Sequence, residues 1–289
     1  MKFITIFLLL VFYILFKCFK LYKIYDQKKV IIKYDDIPIM KEKKKEDFKI
    51  EFEPFNNTNI YEFGIFKTNY FRHPNELDLF LSELLNNMTI LDLGCGMLES
   101  DLYFLEKYKK LKIHAVTRCE KKYEKEILNI IKSKNVSNNI FPYFKDFDKL
   151  GGIFEKNFFD RILFIESINY SKNINNLLTL IRPLLKNNGK IYIRTIIKPK
   201  TDSKYLNKKY KEIEDKLNFK LYTHENIISL LQMNNFIDIK YSSIPLLFSD
   251  NFSNIFFYLT LRKLKLLSFS YFFPSLSILS GIYIATKKE

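Results

Sequence analysis

The chain has 289 residues, a formal charge of +15, and 47% hydrophobic and 17% aromatic content. That is ample for a packed core, excludes wholesale disorder, and fits one domain of roughly 200–250 residues with an attachment. Of the 47 basic residues 41 are Lys and six are Arg, which argues against nucleic acid, because specific phosphate and base contacts favour the forked guanidinium.

Phe3 to Phe16 is an uncharged, mostly large and apolar run. Extended to Tyr22, with Lys17 and Lys20 reaching towards the headgroups, it attains the roughly 20 residues of a spanning helix. The first Ser is Ser82 and the first Gly is Gly64, so no small-residue cleavage site precedes a mature start and an uncleaved anchor over residues 1–22 is expected. One Lys precedes the run and Lys17, Lys20, Lys23, Lys28 and Lys29 follow it. This charge bias makes the protein a single-pass membrane protein with its bulk on the cytosolic side. The alternative is an interfacial or packed helix. Residues 23–55 read as a charged connector without amphipathic period, punctuated by Pro38 and Pro54. Cys18, Cys95 and Cys119 suit neither a zinc site nor a disulfide framework, and three scattered His give no ligand cluster, so no metal is expected.

From residue 75 strands and helices alternate. Apolar positions 77, 80, 81, 84 and 85 give a helical face in 75–87, and Ile90–Leu93 is a short buried strand. Gly94-Cys95-Gly96 then turns sharply into a helix over 98–110, the arrangement that holds a nucleotide-like cofactor at a helix N-terminus. Strands follow at 111–117, within 139–147, at 159–167, 187–196, 236–243 and 281–286. Helices are expected at 120–134, 174–185 and 223–234, with Thr223 as an N-cap. The pattern predicts an α/β fold: a doubly wound, mostly parallel sheet of seven strands with ligands beyond the strands' carboxyl ends.

The motifs LDLGCG (91–96), KDF (145–147), FDRILFIESINYS (159–171) and LLKNNGKIYI (184–193), with the closing GIYIATKK, resemble the class I S-adenosylmethionine-dependent methyltransferases. The resemblance covers residue 75 to the C-terminus. FIESINYS looks most like the branch containing sterol and cyclopropane-fatty-acid methyltransferases. A dinucleotide enzyme would carry a third glycine at Glu99. The resemblance implies a Rossmann-like domain over 56–289 that binds S-adenosyl-L-methionine. Asp92, Gly94, Cys95 and Gly96 would surround its methionine part, Thr117 would stand in for the acid that binds the ribose, and Asp146 would accept from the adenine amino group. Glu166 and Ser167 would face the transferable methyl. Glu166 would orient the acceptor or act as base, and Tyr170 would steer it. Two positions depart from the family. Leu98 replaces a third small residue, crowding the cofactor or shifting the loop, and Asn188 replaces a glycine. His73 is a candidate for closing over the cofactor; His114 reads as structural and His224 as a surface residue.

Residues 244–275 read as an apolar insertion or lid, whose Arg262, Lys263 and Lys265 would touch the membrane. Together these features lead to a methyltransferase acting on a lipid or other small hydrophobic acceptor at a membrane surface. The alternatives are a degenerate, non-catalytic methyltransferase fold serving as a membrane-tethered interaction module, and a protein or RNA methyltransferase.

Overall fold

A computed structural model describes residues 50–54, 60–65, 74–245 and 279–288. The expected anchor, most of the connector, His73 and the bulk of the apolar insertion lie outside them. Among the described residues no helix is long and apolar enough to cross a membrane; that search does not reach the expected anchor.

The strands are β1 (Ile50–Pro54), β2 (Ile60–Ile65), β3 (Thr89–Leu93), β4 (Lys112–Thr117), β5 (Ile140–Phe144), β6 (Phe159–Ile165), β7 (Leu185–Ile197), β8 (Phe236–Pro245) and β9 (Leu279–Lys287). They form one sheet in the order β1-β2-β8-β9-β7-β6-β3-β4-β5. The seven expected strands are all present and occupy one end of this order. β9 runs antiparallel between β7 and β8, whereas β5, β4, β3, β6 and β7 are mutually parallel. β1 and β2 extend the edge beyond β8; β1 falls in the segment read as the end of the connector.

The helices are α1 (Pro74–Leu81), α2 (Glu99–Lys107), α3 (Lys121–Ser133), α4 (Ile174–Ile181), α5 (Lys204–Leu217) and α6 (His224–Met233). Period-two alternation along the strands feeds two cores. Ile90, Leu163, Tyr192 and Ile284 pack with residues of α1, α2 and α3 on one face. Leu91, Phe164, Ile193 and Tyr283 pack with α4 and α6 on the other. Each such fully buried side chain contributes about 1.5–3 kcal/mol. α6 begins in a capping box: the Thr223 hydroxyl accepts from Asn226 N at 3.3 Å and the Asn226 side chain accepts from Thr223 N at 3.1 Å. α5 has no counterpart in the sequence reading. Its Leu206, Tyr210 and Ile213 pack with Phe219 and Leu221 in a third, small core.

Asn188 adopts φ 60° inside a bulge, where β6 pairs Phe159 with Leu185 but Arg161 with Lys190. Asn tolerates this region better than most residues, so the lost glycine is accommodated. His224 departs from its expected surface role. It is half-buried with Nδ1 2.8 Å from the Tyr283 hydroxyl, and burial pushes it down to about 4. His114 is structural as expected, within 2.9 Å of the Tyr143 hydroxyl and ringed by Phe141, Phe154, Phe158 and Phe159.

Candidate cofactor site and adjoining cavity

The site begins where β3 ends. Gly94 N and Cys95 N both donate to Val116 O, at 2.8 and 3.1 Å, which ties the turn to β4. Gly94 has φ 98°, and a Cβ there would lie 2.3 Å from Ser167 Cβ, so the backbones of the β3 and β6 ends approach too closely for any side chain. Gly96, at φ 54°, has nothing within 4 Å of where its Cβ would be; its requirement is open space on the outer side of the turn. Leu98 also adopts the left-handed conformation, with φ 68°, at a cost of about 1–2 kcal/mol for a residue with a side chain. Its side chain is fully buried among the first core's residues. The leucine therefore faces the core and does not crowd the open side of the turn.

Under this turn lies a feature the motif reading missed. Asp92 on β3 and Asp101 on α2 are both buried, and Asp92 Oδ1 and both Asp101 oxygens have no hydrogen-bond donor. Two adjacent buried carboxyls must share a proton. Burial raises Asp92 to about 7 and Asp101 well above the usual carboxylate range. Burial, reinforced by these carboxyls, also pushes the Cys95 thiol up, so Cys95 is a neutral neighbour of the turn. The signal for Asp101 was present in the sequence. The buried positions of α2 are Asp101, Phe104 and Leu105, a helical stripe that includes an acid.

Thr117 and Asp146 stand at the ends of neighbouring strands, Thr117 opposite Phe144 in the β4–β5 register. Thr117 is buried, and its carbonyl accepts from Lys145 N at 3.0 Å. Asp146 caps a short helical turn, its Oδ1 accepting from Asp148 N at 3.0 Å, while Oδ2 is 3.6 Å from Arg118. The Arg118 side chain is 69% exposed, so this pair contributes little stability.

At the end of β6, Glu166 adopts φ 57°, and its carboxylate pairs with the Arg194 guanidinium. Arg194 Nε also donates to the fully buried Asp78, at 2.7 Å, and the Tyr192 hydroxyl donates to the same Asp78 oxygen at 2.7 Å. Burial favours the neutral guanidine, but Asp78, Tyr192 and Glu166 together hold Arg194 above its ordinary value. Glu166 is thus not an isolated base: its carboxylate is bound to a buried cation. Ser167, expected to face the methyl, instead donates its hydroxyl to Leu93 O.

Tyr170, the other expected acceptor-side residue, belongs to a different neighbourhood. It stands edge-on to Phe219, ring centroids 5.7 Å apart. Both line a cavity of about 850 Å³ with Arg118, Lys172, Lys198 and Lys220. Arg118 follows β4, residues 169–172 follow β6 and Lys198 follows β7, so the cavity opens at the carboxyl rim of the parallel strands. The structure therefore brings Gly94, Cys95, Gly96, Thr117 and Asp146 to one stretch of rim, places Asp92 beneath the turn, and divides Glu166 from Tyr170. Among the described residues no group of His, Cys, Asp or Glu gathers to hold a metal ion.

No protein-family model matches the chain, and no curated protein matches it by sequence. Solved structures do match. Phosphoethanolamine N-methyltransferase 2 of Haemonchus contortus, in complex with phosphomonomethylethanolamine and S-adenosylhomocysteine, has a TM-score of 0.60 at 18% identity, covering 74% of this chain and 52% of that one. Geranyl diphosphate methyltransferase in complex with GPP and sinefungin gives 0.59 at 14% identity, covering 74% and 78%. The cyclase SpnF gives 0.58 at 14% identity, covering 74% and 79%. The chain has the Rossmann-like fold of the class I methyltransferases. The cyclase shows that the fold alone does not fix the reaction.

Proposed function

We propose that the chain binds S-adenosyl-L-methionine at the rim of β3, β4, β5 and β6 and transfers its methyl group to a small-molecule acceptor. The observation that carries this reading is the turn itself. It keeps three left-handed residues, Gly94, Gly96 and Leu98, leaves open space over Gly96, and sends the bulky leucine inward. Gly94 and Gly96 would leave the backbone bare to the donor's methionine part, beside Asp92 and Cys95. Thr117 and Asp146 would meet its ribose and adenine. Two structural neighbours named as methyltransferases, one with S-adenosylhomocysteine and one with sinefungin, support the same donor.

When bound, the donor supplies an electrophilic methyl on a sulfonium cation, so the protein's task is alignment and exclusion of water. Arg194 holds the Glu166 carboxylate at the end of β6, which suits Glu166 to orienting an acceptor. Tyr170, which lines the separate cavity, would steer the acceptor's far part. The acceptor is a lipid or another partly hydrophobic molecule, and the protein works at a membrane to which residues 1–22 anchor it, its domain facing the cytosol. The apolar runs at 3–16 and 266–278 support that placement.

Calorimetric titration of the full-length protein with S-adenosylhomocysteine tests the donor site. We expect saturable binding, reduced at least roughly tenfold in Gly96→Ala, because the added methyl enters the open space without meeting protein atoms. Absence of binding by the unaltered protein sinks the proposal. A second reading, a tethered module that binds the donor without turning it over, is favoured by the engagement of Glu166 by Arg194 and of Ser167 by Leu93 O. Labelled methyl appearing in any lipid or metabolite extract removes it.

A further inference from the structure

Resting on the methyl-transfer reading, we propose that the cavity beside Tyr170 binds the acceptor through an anionic phosphate group, with the acceptor's apolar part lying on the cavity's aromatic and aliphatic wall. The argument starts from how charge is distributed around the cavity. Of the lining cations, Lys198 pairs with Glu214 at 3.5 Å and Lys211 with Asp215 at 2.7 Å. The side chains of Lys172 and Lys220 have no ion pair among the described residues, although Asp148 accepts from Lys172 N at 2.8 Å and Glu214 from Leu221 N at 2.9 Å; Arg118 pairs with Asp146 at an exposed position.

The segments that carry these two lysines are fixed in place. Lys220 Nζ lies 3.5 Å from the Lys172 carbonyl, which brings the two chain segments together. The segment carrying Lys220 is fixed by the buried Asn169. The Asn169 carbonyl accepts from Lys220 N at 3.0 Å, and its side-chain amide donates to Lys220 O at 2.5 Å and to Ile196 O at 3.0 Å. Asn169 follows β6 and Ile196 lies on β7, so one buried amide joins the strand ends to the cavity's basic side. An anion there would form charge-assisted hydrogen bonds with the two ammonium groups that lack an ion pair.

The rest of the lining shows what the anion is attached to. Tyr170, Phe219, Leu221, Leu230 and Met233 form the apolar wall, and Met233 is 71% exposed. A cavity of this size holds a small molecule. Basic residues beside an apolar wall fit a phosphate-bearing amphiphile better than a neutral hydrocarbon or a bare inorganic ion. Both a lipid headgroup and a soluble phosphate monoester carry that chemistry.

The test titrates the full-length protein, with and without S-adenosylhomocysteine, against hexyl phosphate, hexanol and inorganic phosphate. Hexyl phosphate is expected to bind most tightly. Lys172→Ala with Lys220→Ala is expected to weaken it at least roughly tenfold, and the paired Arg substitutions to retain it. S-adenosylhomocysteine affinity should be unchanged in both variants, which verifies their folding. The proposal is overturned if hexanol binds as well as hexyl phosphate, if the double Ala variant binds hexyl phosphate unchanged, or if a protein that binds S-adenosylhomocysteine does not bind hexyl phosphate. Failure of S-adenosylhomocysteine to bind strikes the donor reading instead, and the titrations without it still decide the cavity. Sedimentation with phosphatidate and phosphatidylcholine vesicles then separates the sources. A phosphatidate preference lost in the double Ala variant assigns a lipid headgroup; equal sedimentation of the two proteins assigns a soluble phosphate ester.

Discussion

Asp78 and Asp92 both lie against the same sheet face, both withdrawn from water, yet the chain satisfies them by different means. Asp78 is given a cation: Arg194 and the Tyr192 hydroxyl bond to one of its oxygens, and the same guanidinium reaches out to Glu166 at the rim. Asp92 is given another acid, Asp101, and a proton must serve both. The first arrangement pairs the acid with a permanent cation and links the core to the end of β6. The second lies under the donor turn, and its charge depends on pH. Under the glycine turn the protein thus tolerates a titratable pair, whereas at the end of β6 it holds a carboxylate in place with a permanent cation.

The largest expected effect comes from removing that cation. Arg194→Met leaves Asp78 buried without its charge partner, and breaking such a pair from one side costs about 3–5 kcal/mol. Urea unfolding should show this loss at pH 8 and a smaller one at pH 5, because a protonated Asp78 no longer needs the guanidinium. An unchanged midpoint at pH 8 would mean that Asp78 is already neutral, and the contrast between the two acids would collapse.

The proton-sharing pair has an effect of opposite design. Asp92 rises from 3.8 to about 7 in the folded state, and Asp101 is raised as well. A raised carboxyl contributes stability that is complete below its unfolded value and is lost as pH climbs through the folded one. Between pH 4 and 7 the unfolding free energy should therefore fall, by roughly 2–4 kcal/mol more than in Asp101→Asn, whose amide replaces the shared proton. Asp78, also raised by burial, adds the same sign to both proteins and largely cancels in the difference. Parallel pH profiles for the two proteins would show that no proton is shared.

The same contrast separates what was legible in the sequence from what was not. The seven-stranded core of the sheet was legible because parallel strands buried on both faces read as short apolar runs between amphipathic helices. The glycine turn, Thr117 and Asp146 were legible because each sits at a strand end that the pattern locates. The pairings of Asp101 and Arg194 were not, although the helical stripe that includes Asp101 was, because the partners lie on other elements of the fold. Asp101 meets a residue on β3, and Arg194 joins α1 to the end of β6, and no spacing rule announces either. Glu166 was legible as a residue at the end of β6, but its pairing with Arg194 was not. The basic cavity escaped for the same reason: Lys172 and Lys220 are 48 positions apart and meet through Asn169. α5 was overlooked although Leu206, Tyr210 and Ile213 keep a helical spacing, because the many lysines between them mask it.

The smallest stability effect examines the residue that joins the turn to the proton-sharing pair. Leu98 is the N-cap of α2, whose first turn carries Asp101, and its buried side chain helps to keep water from that helix end. Leu98→Gly relieves about 1–2 kcal/mol of left-handed strain but removes a buried leucine, a loss of about 2–5 kcal/mol when truncated. Burial wins, and urea unfolding should register a net loss of about 1–3 kcal/mol. Water admitted beside Asp101 should lower the pair's affinity for its proton, so the fall in stability between pH 4 and 7 should flatten as well. S-adenosylhomocysteine affinity should stay within about twofold, since the leucine faces the core and not the open side of the turn. A gain in affinity of roughly tenfold would instead mean that Leu98 restricts the donor. A steep pH dependence surviving the substitution would mean that the pair is sealed by the sheet rather than by the turn.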